Sequence, residues 1–247
     1  MDNVHLDDEA FLSTVVASIP GWLEDYTGLR SMDVLRLQEE RGLAGSILEI
    51  GVFAGRYFSI LFRSALKQKS TIVGLDTFQY ADVEQVQNYL RSVYSCIYDK
   101  LRFIKGRSTD WHARMLLEEL GEPARFISID GSHEKSDVFW DLRLAEELTS
   151  AQGIVAVDDY LNPMTLGVNE AVNHFFLQPR NLVPWAYIAN KLFLSRPGSA
   201  HGYKSYLEKV VMEDRNEGRS KIYQKNLANG RHFVEVILFG NPIIILP

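Results

Sequence analysis

The sequence predicts an α/β fold, a doubly wound and mostly parallel sheet with a helical N-terminal leader. Two observations carry this. Short apolar runs rich in β-branched residues alternate with stretches of ten or more residues at helical spacing, the pattern of right-handed βαβ units whose strands run parallel. Residues 46–62 (SILEIGVFAGRYFSILF) read as strand, glycine turn and helix: Ile47, Leu48 and Ile50 are apolar, Gly51 and Gly55 break the run, and Tyr57, Phe58, Ile60, Leu61 and Phe62 recur at helical spacing.

That turn is the first candidate site. Glycine has no Cβ and tolerates positive φ, so backbone N–H groups at the helix start can approach a ligand closely. The spacing Glu49-x-Gly51-x3-Gly55 lacks the full G-x-G-x-x-G of dinucleotide binders, and Glu49 would be a poor neighbour for a pyrophosphate. A carboxylate there suits a cationic, hydroxyl-rich ligand, and S-adenosylmethionine offers an amino group, a sulfonium and a ribose. The glycines alone also fit an ordinary strand-to-helix turn.

The totals bound the function. A chain of 247 residues accommodates one large α/β domain, and the apolar fraction of 46% with 23% charged residues is that of a globular protein. A net charge of -6 argues against a nucleic-acid surface, which carries basic patches, and favours a small-molecule partner. The single cysteine, Cys96, excludes an intramolecular disulfide. The start of the chain, with Asp2, Asp7, Asp8 and Glu9, lacks a cationic and apolar signal, and no apolar run approaches the ~20 residues of a membrane span, so the expectation is a cytoplasmic protein.

In chain order, Phe11, Leu12, Val15, Val16 and Ile19 share one helical face before Pro20-Gly21, and a second helix is expected from an N-cap at Ser31 to Gly42. This leader reads as packing helices or as a lid whose Trp22 or Tyr26 covers a ligand. Residues 70–76 (STIVGLD) form a second strand ending in Asp76, placed to take ribose hydroxyls, since ligands of open parallel sheets sit at the carboxyl ends of the strands. A helix over 81–98 and a strand over 101–105 follow. Ser108 then stands where it would meet an adenine edge or simply make a turn. Helical spacing resumes over 111–120.

The second informative window holds a strand over 125–130 (RFISID) with Gly131-Ser132-His133 beyond it, a helix over 137–148, and a strand over 153–159 (GIVAVDD). Parallel strands end at one edge, so Asp130, His133, Asp158 and Asp159 are expected to converge. Clustered carboxylates raise one another's pKa unless a cation lies between them. Hard oxygen ligands without cysteine favour Mg²⁺, or Mn²⁺ or Ca²⁺, held by Asp130, Asp158 and Asp159. His133, just beyond Asp130, is the candidate general base, against a purely structural histidine. A helix over 168–176, a hairpin of 184–189 and 191–195 turning at Asn190, an end to the core at Pro197-Gly198, a helix over 203–214 and a strand over 232–239 complete the reading. The bare apolar tail 243–246 calls either for pairing in the sheet or for burial against a second copy, the latter making a homo-oligomer.

On the segments ILEIGVFAG, IVGLD, FISIDGSHE and GIVAVDDY, with KLFLSRP behind them, the chain resembles the class I S-adenosylmethionine-dependent methyltransferases, and among them the metal-dependent sugar O-methyltransferases of the macrocin and mycinamicin type. The resemblance covers residues 45–197. It implies a seven-stranded sheet with one antiparallel strand and methyl transfer to a small-molecule hydroxyl, a sugar of a glycosylated natural product or another saccharide. Glu49, Gly51 and Gly55 would hold the methionine part of the cofactor and Asp76 the ribose. Ser108 would lie at the adenine, and Asp130, Asp158 and Asp159 would bind magnesium. Asp130 would also border the cofactor and share in catalysis with His133. Arg56-Tyr57 replaces the serine that often follows the second glycine. The chain would then divide into a leader or lid (1–42), a cofactor-binding core (43–197) and a helix-and-strand extension on the core (198–247). The competing readings are a nicotinamide-dinucleotide oxidoreductase, given the spacing of Asp76 from the glycines, and a non-catalytic cofactor-binding protein.

Overall fold

The structure is a computed structural model that describes residues 3–94 and 98–246, so Cys96 and the end of the helix expected over 81–98 lie outside the described residues. The elements, in order, are α1 (Asp8–Thr14), α2 (Asp25–Glu40), β1 (Ser46–Ile50), α3 (Arg56–Gln68), β2 (Ile72–Asp76), α4 (Val83–Tyr94), β3 (Leu101–Lys105), α5 (Ala113–Leu120) and β4 (Ala124–Ile129). They continue with α6 (Lys135–Leu148), β5 (Thr149–Val157), α7 (Leu166–Phe175), β6 (Val183–Ile188), β7 (Lys191–Ser195), α8 (Pro197–Glu213), α9 (Gly218–Asn229), β8 (Glu235–Leu238) and β9 (Asn241–Leu246).

One sheet of order β3-β2-β1-β4-β5-β7-β6-β9-β8 runs through the protein. The five strands from β3 to β5 are parallel, β7 is antiparallel to both of its neighbours, and β9 pairs parallel with β6. The doubly wound α/β expectation holds. The seven-strand count is extended to nine among the described residues, because the apolar tail enters the sheet as β9, with Ile244 opposite Ala186, and carries β8 along its other side.

Alternation along each strand builds a core on either face. Ile47 packs with Phe11, Leu35, Phe58, Leu90, Leu207 and Tyr223 under α1 to α4, α8 and α9, whereas Leu48 and Ile50 pack with Leu116, Leu142 and Val172 under α5 to α7. The leader is fixed to the first face. Asp8 takes an ion pair from Arg63 Nη1 at 2.8 Å, and Gly28 lets α1 approach α2, since a Cβ there would lie 2.9 Å from Leu12 Cδ2.

Four expectations change in detail. Ser31 is not an N-cap: α2 starts at Asp25, and Ser31 is a buried mid-helix residue that accepts a hydrogen bond from Tyr57 Oη at 2.9 Å. Burial of this helix against α3 overrides the local serine preference. Pro197 begins α8 instead of ending the core, its missing N–H costing nothing in a first turn. β5 starts four residues early, at Thr149. The helix α9 went unanticipated, because the polar stretch 219–229 shows little apolar periodicity. No helix among the described residues is long and apolar enough to cross a membrane.

Candidate active site

Gly51 and Gly55, both at positive φ (87° and 89°), shape the turn between β1 and α3. Gly51 admits no side chain, because a Cβ would fall 2.0 Å from the backbone oxygen of Asp130. The first turn is thereby pressed directly against the end of β4. Asp76, at the end of β2, braces the turn from the other side: its Oδ2 accepts the backbone N–H of Val52 at 2.7 Å and of Phe53 at 2.8 Å, and its Oδ1 accepts that of Phe78 at 2.7 Å. A ribose at Asp76 would have to share the carboxylate with these donors. Phe53 holds a positive φ of 49°, an uncommon conformation for an aromatic residue, and its ring stacks on Trp22 at 6.0 Å. Trp22 is 90% exposed, so a leader side chain does stand at the turn, whereas Tyr26 is buried, its hydroxyl 3.2 Å from Ser220 Oγ. The lid expectation for Tyr26 is therefore corrected. Arg56 Nη1 ties the turn to the leader through the carbonyl of Gly21 at 2.7 Å.

Beyond β4 and β5 lie the carboxylates. One ligand atom each of Asp130, His133 and Asp159 lies within 4.8 Å of the other two. His133 Nε2 is 3.1 Å from Asp159 Oδ2, and the loop that carries His133 rests on α7, since a Cβ on Gly167 would meet the His133 carbonyl oxygen at 2.3 Å. The hydrogen bond that His133 donates to Asp159 raises the histidine pKa against an opposing effect of burial. Burial would raise Asp159, but His133, Asn162 and Asn190 outweigh it and bring its pKa down to about 2.

Asp158, beside Asp130, is engaged by a cation of the protein itself. Its Oδ2 lies 2.7 Å from Lys191 Nζ and its Oδ1 accepts the backbone N–H of Asp159 at 3.0 Å. Lys191 is 1% exposed, also 4.0 Å from Asp130 Oδ2, and sits over the Tyr57 ring at 4.3 Å. Burial would lower its pKa, yet Asp158 and Asp130 more than compensate and hold it above the ordinary lysine range. Asp130 is displaced upward, first by burial and next by Asp158. Glu49 lies beneath this group on the same sheet face, 1% exposed, with burial raising its pKa well above the carboxylate range and Lys191 opposing that.

Ser108 stands at the same edge in the short turn after β3, where its carbonyl accepts a hydrogen bond from Trp140 Nε1 at 3.2 Å. The carboxylate and histidine candidates thus converge, and Asp76 braces the glycine turn. Ser108 is bound to α6, through Trp140.

Sequence reasoning missed the hairpin residues. β7 runs antiparallel to β5, so it begins where the parallel strands end, and its turn delivers Asn190 to Asp159 and Lys191 to Asp158. The available signal was a lysine opening an otherwise apolar strand, KLFLS. A lysine on a strand buried at every position needs a carboxylate partner.

Residues 48–160 match a family described as a methyltransferase domain. No curated protein matches the chain. Among solved structures, it is similar to CalS11, a TDP-rhamnose 3'-O-methyltransferase of calicheamicin biosynthesis, at 21% identity and a TM-score of 0.56 over 78% of this chain and 88% of that one. It is also similar to the O-methyltransferase NovP (17% identity, TM-score 0.56, 68% of this chain and 80% of NovP). A third is MycE, a methyltransferase from the mycinamycin pathway solved with Mg, SAH and mycinamycin VI (19%, TM-score 0.53, 78% of this chain and 55% of MycE). Over residues 48–160 the chain thus matches a methyltransferase domain, and it shares the fold of these methyltransferases.

Proposed function

We propose that the protein moves the methyl group of S-adenosylmethionine to a hydroxyl of a small molecule, a sugar of a glycosylated natural product or another saccharide, with the help of a divalent cation. The observation that carries this reading is the meeting, at one sheet edge, of the braced glycine turn with Asp130, His133 and Asp159. The turn and Asp76 offer a cradle for the amino-acid and ribose parts of the cofactor, Ser108 lies at the same edge for the adenine, and Asp130 borders the turn through its backbone. CalS11, a TDP-rhamnose 3'-O-methyltransferase, supports the acceptor class, and the magnesium in the MycE structure supports the metal.

The donor set fits a hard divalent ion. One carboxylate oxygen each of Asp130 and Asp159 and a ring nitrogen of His133 lie within 4.8 Å of one another. When bound, the ion would supply Lewis acidity toward the acceptor hydroxyl. The chain's own residues do the rest. The acceptor oxygen forms a bond to the methyl carbon in line with the sulfonium, the sulfur–carbon bond breaks to leave S-adenosylhomocysteine, and the hydroxyl proton passes to His133 Nδ1, since Nε2 carries the proton given to Asp159. Asp159 orients the imidazole from 3.1 Å. Trp22 and Phe53 would close over the reacting groups and exclude water.

Incubation with methyl-labelled S-adenosylmethionine, Mg²⁺ and a panel of sugar nucleotides, glycosides and phenols tests the proposal. Label transferred to a saccharide hydroxyl is the expected result. Transfer to phenols alone would remove the sugar class, and transfer to none, with no calorimetric binding of S-adenosylhomocysteine, would overturn the reading.

A further inference from the structure

We infer that Lys191 is the resident cation of the active site: its ammonium holds Asp158 as a fixed counter-ion, so Asp158 positions the cluster, and a divalent ion is left the side formed by Asp130, His133 and Asp159. Both oxygens of Asp158 are committed, one to Lys191 at 2.7 Å and one to the backbone N–H of Asp159 at 3.0 Å. The lysine cannot release its partner to solvent, being 1% exposed and closed in by the Tyr57 ring at 4.3 Å. Tyr57 is itself held by Ser31, at 2.9 Å.

The same hairpin turn that delivers Lys191 to Asp158 delivers Asn190 to Asp159, a neutral donor that leaves the second carboxylate its charge. Two successive turn residues thus treat two successive aspartates differently. Asp158 is paired with a buried ammonium, whereas Asp159 stands with His133 and Asp130. A second cation at Asp158 would have to displace a buried ammonium, and charge repulsion in a partly desolvated site opposes that. Lys191 is accordingly a positioning residue that sets how many carboxylates a metal can use.

This inference rests on the proposed metal reading for one of its two measurements. Mn²⁺ binding by calorimetry, without cofactor or acceptor, is compared in the wild type, K191M, K191R and the double variant K191M/D158N. Freed from its counter-ion, Asp158 joins the metal site in K191M, and affinity is expected to rise at least ~10-fold. The double variant should return to within about threefold of the wild type, and K191R, which keeps the charge, should stay there too. Unchanged or weaker Mn²⁺ binding by K191M, or a tenfold change in K191R, overturns the inference. The second measurement is thermal unfolding in EDTA. K191M leaves the partly buried Asp158 carboxylate without its cation and should melt at least about 5 °C below the wild type, with Asp158→Asn restoring at least half of the loss. Folding of the double variant where K191M alone does not fold upholds the pair. Should no protein bind Mn²⁺, the metal reading has failed and the melting cycle decides for Lys191, additive losses counting against it.

Discussion

His133 Nε2 lies 3.1 Å from Asp159 Oδ2, so the imidazole at the end of β4 is oriented by a carboxylate from the end of β5. The pair gives the histidine a direction and a raised proton affinity, two properties that a general base needs. Asp159 is fixed in turn by Asn162 Nδ2 at 2.9 Å and by Asn190.

Replacing His133 with alanine is expected to cut kcat by at least ~10²-fold while S-adenosylhomocysteine affinity stays within error. The base acts when neutral and its pKa is raised, so the acid limb of the wild-type kcat profile should lie above the ordinary histidine value of about 6.5. Asp159→Asn removes the first cause of that rise and should move the limb down. A limb that stays in place in both variants assigns the proton to another group.

Asp76→Ala should weaken S-adenosylhomocysteine binding by ~1–3 kcal/mol, the scale of lost hydrogen bonds to a charged acceptor. The structure adds a reason beyond the ribose contact. The backbone N–H groups of Val52 and Phe53 lose their common acceptor, so the glycine turn loosens as well. Calorimetry on the variant checks this, and unaltered affinity would take Asp76 out of the cofactor site.

Chelation is expected to abolish turnover, and excess Mg²⁺ to restore it. Asp159→Asn should require more Mg²⁺ for half-maximal rate than the wild type. Full activity in excess EDTA would leave the Asp130, His133 and Asp159 group to proton transfer and cofactor binding alone.

Asp141, on α6, is fully buried and makes no side-chain ion pair among the described residues; burial lifts its pKa to about 7. The folded pKa exceeds the unfolded value of about 3.9, so the associated stability is complete below pH ~4 and is lost as pH rises through ~7. A rise of about three units corresponds to a few kcal/mol. Asp141→Asn should therefore raise the melting temperature at pH 8, with a smaller gain at pH 5. Parallel pH profiles of melting for the two proteins would contradict this.

The lessons of sequence and of tertiary structure separate at particular residues. The alternation of apolar runs with helical spacing, the glycine turn after Glu49, and the acids that end at Asp76, Asp130 and Asp158-Asp159 were legible because each depends on local periodicity or on strand polarity. Parallel strands share an edge, so acids spread over more than 80 residues of chain could be assigned to one place. What each carboxylate does was decided by a strand running the other way. β7 starts at the shared edge because it is antiparallel, and that brings Lys191 to Asp158 and Asn190 to Asp159 across 33 and 31 residues. No local pattern encodes such pairings. The same holds for Ser31, a cap by its residue type and a buried partner of Tyr57 by its packing, and for Glu49, which a strand-end motif offers to a ligand and a sheet face hides beneath Lys191. Local sequence determined which groups reach the edge. Burial and long-range charge pairing, which depend on the closed sheet, decided which of them remain free to act.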